Sequence, residues 1–173
     1  MIKNIFATLL LAAALACGGQ IDSSDDGQDM KAPPSFEPFS AYATARTHAA
    51  KYCTNPAAIG LGGELSSDKK SYGWTWRFQC DGQVFVMVAA GPNGVRVTSH
   101  GMRTWLTGCS KFAPTKVNVN AGDLLSLLKK QGYAQPDEMD LGEPLVPKAT
   151  PKWSVTVGKK AVSVDAMTGD VTK

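Results

Sequence analysis

The chain is poor in the residues that most catalytic and cofactor sites require. Its 173 residues include only 2 histidines, His48 and His100. A nucleophile with a histidine base also needs a carboxylate to orient the base. There is no G-x-S-x-G, and no acidic residue lies close to His100 in sequence. No C-x-x-C or closely spaced histidine pair supplies a metal motif. Asp22 to Gly27, DSSDDG, imitates the start of a calcium loop but has Pro33 where the bidentate Glu must stand. Gly60-Leu61-Gly62-Gly63 lacks the spacing of a phosphate loop and reads as a flexible turn. No cofactor is expected. The net charge is +3, and no Lys/Arg run interleaves with aromatics, which argues against nucleic acid as a partner. After Leu15 no apolar run approaches the about 20 residues that cross a bilayer.

At the N-terminus, Lys3 precedes the apolar stretch Ile5 to Leu15, which is too short to span a bilayer and fits a signal-peptide core over residues 1–16. Ala14-Leu15-Ala16-Cys17-Gly18 follows. It resembles the lipobox of bacterial lipoproteins, although the position three before the cysteine is Ala14, where Leu is usual. The resemblance implies that Cys17 becomes the lipidated N-terminus, anchoring an exported protein to the membrane. Gly18 in place of Asp implies the outer membrane. Residues 17–38 are rich in Gly, Ser, Asp and Pro and read as a disordered tether.

The remainder is 39–173, enough for one domain or two small ones, and a hydrophobic content of 43% suffices for a core. Phe39 to Cys53 reads as a helix with Phe39, Ala43, Ala50 and Cys53 on one side and Ser40 as a candidate N-cap. A short strand is expected near Gly63–Leu65. Trp74 to Cys80 alternates, with Trp74, Trp76, Phe78 and Cys80 on one face. Asp81-Gly82 signals a tight type I′ hairpin into Gln83–Ala90, and Val95–Ser99 forms a third strand. Asn120 or Asp123 opens a second helix with Leu124, Leu127 and Leu128 on its apolar side, and Gly132 stops it. Leu141 to Thr150 reads as a connection, and Trp153–Val157 and Ala161–Asp165 as a closing hairpin. The fold class is therefore α+β, helix on antiparallel sheet, in two α–β–β units over 39–115 and 116–173.

The closing segment, from Trp153-Ser154-Val155-Thr156-Val157 to Val164-Asp165-Ala166-Met167-Thr168-Gly169-Asp170-Val171, resembles the end of a PepSY domain. The likeness covers about Asn120 to Lys173, with a degenerate first copy over Phe39 to His100. Locally, Val162 and Val164 bury one face, Asp165 and Thr168 bond the turn backbone, and Gly169 supplies positive φ. The resemblance implies a non-catalytic module that holds or inhibits proteases near the cell, and it carries over no catalytic residue.

Export makes a disulfide among Cys53, Cys80 and Cys109 expected. Cys53–Cys80 is favoured because both end apolar faces directed at the same core, and Cys80–Cys109 is the rival. Trp74 and Trp76 are read either as core or as an aromatic binding platform. Arg96, His100, Arg103 and Trp105, with Lys111, make up the rest of a candidate binding surface. Three functions follow: an envelope-anchored binding module for a secreted or envelope protein, with protease modulation as its finer form; a structural or adhesive envelope lipoprotein; and a small hydrolase that would need His100 in a cleft against a carboxylate.

Overall fold

The computed structural model describes residues 36–102, 110–142 and 149–172. Two short helices lie against one eight-stranded antiparallel sheet. A 3-10 turn, Pro38–Ala41, leads into α1 (Tyr42–Ala49). Four strands follow: β1 (Ala57–Leu65), β2 (Tyr72–Gln79), β3 (Val84–Gly91) and β4 (Gly94–Met102). The second half repeats the order with α2 (Ala121–Lys130), β5 (Glu138–Gly142), β6 (Lys152–Val157), β7 (Lys160–Asp165) and β8 (Val171–Thr172). Across the sheet the strands run β4-β3-β2-β1-β5-β6-β7-β8. Each half is a helix followed by a four-strand meander, so the expectation of two strands per unit undercounts. The halves join where β1 pairs β5.

The arrangement has an approximate two-fold relation about that seam. One rung runs Val97, Val88, Trp76, Leu61, Leu141, Trp153, Val164 and Val171, in register from edge to edge. Leu61 faces Leu141 at the seam, and a tryptophan flanks each leucine. The two indole N–H groups make equivalent bonds: Trp76 donates to the Pro38 carbonyl at 3.1 Å and Trp153 to the Val119 carbonyl at 2.8 Å, each just before its helix. A buried indole N–H left unpaired costs about 1–3 kcal/mol, so these bonds tie each helix entry to its own half of the sheet. Phe39 closes the middle, its ring 5.5 Å from Trp76 and 6.3 Å from Trp153. The two halves therefore share one core.

Several local expectations shift. The first helix does not run from Phe39 to Cys53. The 3-10 turn changes its phase, so Ala45 and Ala49 are buried while Ala43 and Ala50 are exposed. Ser40 is not its cap; the Glu37 carboxylate accepts from the Phe39 N–H. The folded part also begins before residue 39, since Phe36 packs against the core and Pro38 is buried. Asp81-Gly82 does not make a two-residue I′ turn. The chain turns through a 3-10 segment, Asp81–Gln83, and positive φ falls at Gln83. Leu141 and Gly142, read as connection, belong to β5.

Gly60 to Gly63, read as a turn, forms the middle of the nine-residue β1. Packing makes glycine necessary at two of these positions. A Cβ on Gly60 would fall inside the Arg77 guanidinium, and one on Gly63 inside the Trp74 indole. Each large cross-strand side chain lies flat over the glycine it faces, which is a recurrent reason for glycine inside a strand.

The second helix follows expectation. Asn120 caps it, its side chain accepting from the Asp123 N–H at 2.9 Å, and Leu124 and Leu128 are buried. Gly132 takes φ 79° just past its end. In the last turn Asp165 Oδ1 accepts from the N–H groups of Met167 (2.8 Å) and Thr168 (3.1 Å), and Gly169 has φ 81°.

Candidate functional site

Helical packing decides the fate of the Trp74/Trp76 pair. Both side chains point to the helix-bearing face of β2, where Phe39 and Tyr42 pack on Trp76, and Tyr72 and Trp153 pack on Trp74, and they are 3% and 0% exposed. They are core, and no aromatic platform forms there. Cys80 also points into this core, and Cys53 lies one turn beyond α1 at its edge. The two are bonded, with Cα atoms 5.9 Å apart and a sequence separation of 27. The disulfide clamps the end of α1 to the end of β2. Closing a loop of this length removes denatured-state entropy worth about 3.5 kcal/mol. Among the described residues no cysteine is free.

Arg96 and His100 both lie on β4, the long outer strand of the first half. Simple alternation would place them on one face. A bulge does the opposite: Met87 pairs Ser99 while its neighbour Val88 pairs Val97, leaving Thr98 as the extra residue. Arg96 therefore faces away from the helices, opposite Ala89, and His100 faces toward them, opposite Val86. The His100 ring rests against Tyr52 at a centroid distance of 4.4 Å. Tyr52 (47%) and Met102 (76%) are the exposed large apolar side chains among the described residues. His100 is itself exposed, and no carboxylate contact orients it. Among the described residues no cleft forms around His100. Lys111 is exposed on the segment leading to Phe112. Cys17, Arg103, Trp105 and Cys109 lie outside the described residues.

Two further constellations have no short-range signal in the sequence. On the face opposite the helices, Arg77 reaches across β1 to Asp140 on β5, with a bidentate contact at 2.7 and 2.5 Å. Arg77 is 7% exposed, and its Nε has no hydrogen-bond partner among the described residues. The pair spans the seam between the halves. The alternation of β2 did place Arg77 opposite the tryptophans, but its partner 63 residues away could not be read from the chain.

The second is a groove of about 410 Å³ between the β1–β2 connection and the end of α2. Tyr72, Leu125, Tyr133 and Pro136 wall it, with Lys70 and Lys129 at its rim. The Tyr72 hydroxyl donates to the Pro136 carbonyl at 2.8 Å. Burial pushes this phenol up to about 12, opposed by a hydrogen bond with Gln135 and assisted by the nearby Asp137 carboxylate. The Tyr133 hydroxyl is buried without a partner among the described residues. Solvent does not reach that hydroxyl, so it is no ready contact for a ligand in the groove. At the far end of the sheet, burial would raise the Asp165 carboxyl. Hydrogen bonds from Thr150, Met167 and Thr168, with Lys152 nearby, outweigh burial and hold it below its usual range.

Among the described residues no group of three His, Cys, Asp or Glu side chains gathers to hold a metal ion, and no helix is long and apolar enough to cross a membrane. Among the described residues the surface shows the outer strand β4 and a groove beside α2. These elements define an α+β protein with a shared core, a disulfide and a long outer strand.

No protein-family model matches the chain. No curated protein matches it. Among solved structures, a protein of Clostridium difficile 630, provisionally described as a lipoprotein, overlaps 85% of this chain and 94% of its own at 16% identity and a TM-score of 0.49.

Proposed function

We propose that the chain is an exported, lipid-anchored module of the cell envelope that binds a protein partner without catalysing a reaction. The observation that carries this is the N-terminal order of features. A single Lys3, an apolar run from Ile5 to Leu15, and Ala16-Cys17 are followed by a Gly/Ser/Asp/Pro-rich stretch. The Cys53–Cys80 disulfide supports it, because such bonds persist in oxidising compartments. In this reading Cys17 carries the lipid, Gly18 directs the protein to the outer membrane, and the tether holds the folded body away from the surface.

The finer reading is a PepSY-like module that modulates a protease. The Asp165–Gly169 turn supports it, with Asp165 bonding the backbone at Met167 and Thr168 as the V-D-A-x-T-G pattern requires. A single acyl chain gives only marginal membrane binding, so a diacylated Cys17 is what would make the anchor stable.

The test is metabolic labelling of cells with an alkyne fatty acid, followed by membrane fractionation. The intact chain takes up label and fractionates with membranes. Cys17→Ala takes up none and appears in the soluble fraction. A mature protein whose mass shows an unmodified Cys17 would refute the anchor. Loss of inhibition in every secreted-protease assay, with the anchor intact, would leave a structural envelope role.

A further inference from the structure

We infer that the groove between the β1–β2 turn and the end of α2 is where the partner protein docks, and that it takes an apolar side chain flanked by carboxylates. The inference rests on the binding-module reading above and deepens it by naming the surface and the chemistry of the segment that fits it.

The groove is walled by backbone that the fold holds in place. Tyr72, Leu125, Tyr133 and Pro136 enclose about 410 Å³, a volume ordinary for a ligand site. One wall is the β1–β2 turn, closed by the Ser66 N–H on the Ser71 carbonyl at 2.9 Å and the Lys69 N–H on the Ser66 carbonyl at 2.8 Å. The other wall, 133–136, is tied at three points. The Tyr133 N–H donates to the Leu128 carbonyl at 3.0 Å and the Tyr72 hydroxyl to the Pro136 carbonyl at 2.8 Å. Just beyond, the Asp137 N–H donates to the Thr156 carbonyl at 2.8 Å. A site already formed loses little freedom when it is filled. The groove lies at the end of the sheet where Leu65 pairs Tyr72 and β5 begins. The chain leaves β4 and β5 from the opposite end, after Met102 beside Val84 and after Gly142 beside Lys152.

Charge selects the occupant. Among the described residues, the ammonium groups of Lys70 and Lys129 at the rim make no ion pair or hydrogen bond. A lysine in the last turn of a helix commonly serves the free carbonyls there. In α2 the carbonyls of Leu127, Leu128 and Lys129 already accept from the N–H groups of Gln131, Tyr133 and Gly132. Among the described residues no Asp or Glu lines the groove. The carboxylates on the adjoining segments are held by other donors. Asp68 accepts from the Ser66 hydroxyl at 2.6 Å and the Lys70 N–H at 3.1 Å, and Asp137 from the Gly158 N–H at 2.6 Å. Glu64 and Glu138 face each other on the side of the sheet away from the helices. Over 66–71 and 129–137, four lysines stand against two aspartates. A segment with Phe or Leu between carboxylates matches this surface. Burial of the apolar anchor supplies affinity, and the rim cations select the sign of charge.

The experiment uses the full chain in detergent and three fluorescent peptides: one with Phe between pairs of Glu, one with Lys in place of each Glu, and one with Ala in place of Phe. Fluorescence anisotropy should show saturable binding of the Glu/Phe peptide, weakened by salt. The Lys/Phe peptide should bind at least about tenfold more weakly. The Glu/Ala peptide should lose about tenfold or more, because it lacks the buried anchor. Lys70→Glu combined with Lys129→Glu, both at exposed positions, should cut binding several-fold and leave the unfolding midpoint in place. Ala134→Trp, at an exposed position on the groove wall, should fill the space and block binding without changing the charge. No saturable binding of the Glu/Phe peptide would overturn the proposal. Equal binding of the Lys/Phe peptide would overturn the charge assignment. If 3-phenylpropionate alone binds as tightly as the peptide, the groove belongs to small free acids and the docking proposal fails. Peptide binding that survives both Ala134→Trp and the double lysine variant would overturn this site while leaving the binding-module reading in place. Labelling at Cys17 is independent of all these readouts, so a failure here and a failure of the anchor are told apart.

Discussion

Three glycines of β1 should respond to alanine with different signs, although they are near neighbours on one strand. Gly62 has nothing within 4 Å of the place a Cβ would occupy, and its φ is not in the left-handed region. Glycine in a strand interior costs about 0.5–1 kcal/mol against alanine through the freedom it has in the unfolded chain, so Gly62→Ala should stabilise by that amount. Gly60 is the opposite case. The new methyl would overlap the Arg77 guanidinium, whose side chain is 8% exposed and paired with Asp140. Overpacking costs about 1–3 kcal/mol, and breaking a buried pair about 3–5 kcal/mol. Asp140 is 35% exposed and can recover hydration, which brings the expected loss to about 2–4 kcal/mol. Gly63→Ala meets the rigid Trp74 ring, wedged between Tyr72 at 5.8 Å and Trp153 at 6.5 Å, and should cost about 2–3 kcal/mol. Urea unfolding followed by tryptophan fluorescence measures all three, with an unchanged slope as the sign that only stability moved. If Gly60→Ala and Gly62→Ala shift the midpoint in the same direction, the account of why β1 is glycine-rich is wrong.

Replacing Cys53 and Cys80 together by serine should lower stability by about 3.5 kcal/mol, since the bond closes the α1–β2 loop; calorimetry with and without reductant should give matching losses for the wild type alone. Tyr72 supplies a pH test. Its folded pKa is raised to about 12 from 10.0, so its contribution is complete below pH 10 and is lost as pH rises toward 12. Alkaline unfolding should therefore steepen in that window, and Tyr72→Phe should remove the steepening at the cost of the bond to Pro136; a profile identical to the wild type would refute the assignment.

Much of the fold was legible because its signals are local. Alternation in Trp74–Cys80 placed Trp74, Trp76, Phe78 and Cys80 on one face, and all four are buried. The Leu spacing, Asn120 and Gly132 bounded α2 to within a few residues. The favoured Cys53–Cys80 pairing is the one formed, with Cys80 on the apolar face of β2 as expected and Cys53 reaching it from beyond the end of α1. The failures have equally specific causes. Glycines at Gly60 and Gly63 look like a turn because the chain does not display the large side chains that lie over them. β5 was hidden because its five residues hold two carboxylates and pair on both sides only after the halves meet. The candidate binding surface was half visible: Arg96 and His100 were picked out by type, but the bulge that sends them to opposite faces is a property of pairing with β3.

By itself, the sequence determined the helix and strand periodicities, the capping of α2, the V-D-A-M-T-G turn and the signal-like N-terminus, since each depends on residues within about one turn or one hairpin of each other. Tertiary structure alone decided that two helix-plus-meander halves join through Leu61 and Leu141 into one sheet, that Arg77 finds Asp140 across the seam, and that β4 and β8 become its outer strands. Those outcomes depend on contacts between segments far apart in the chain, whose register is set by which large side chains can share one core.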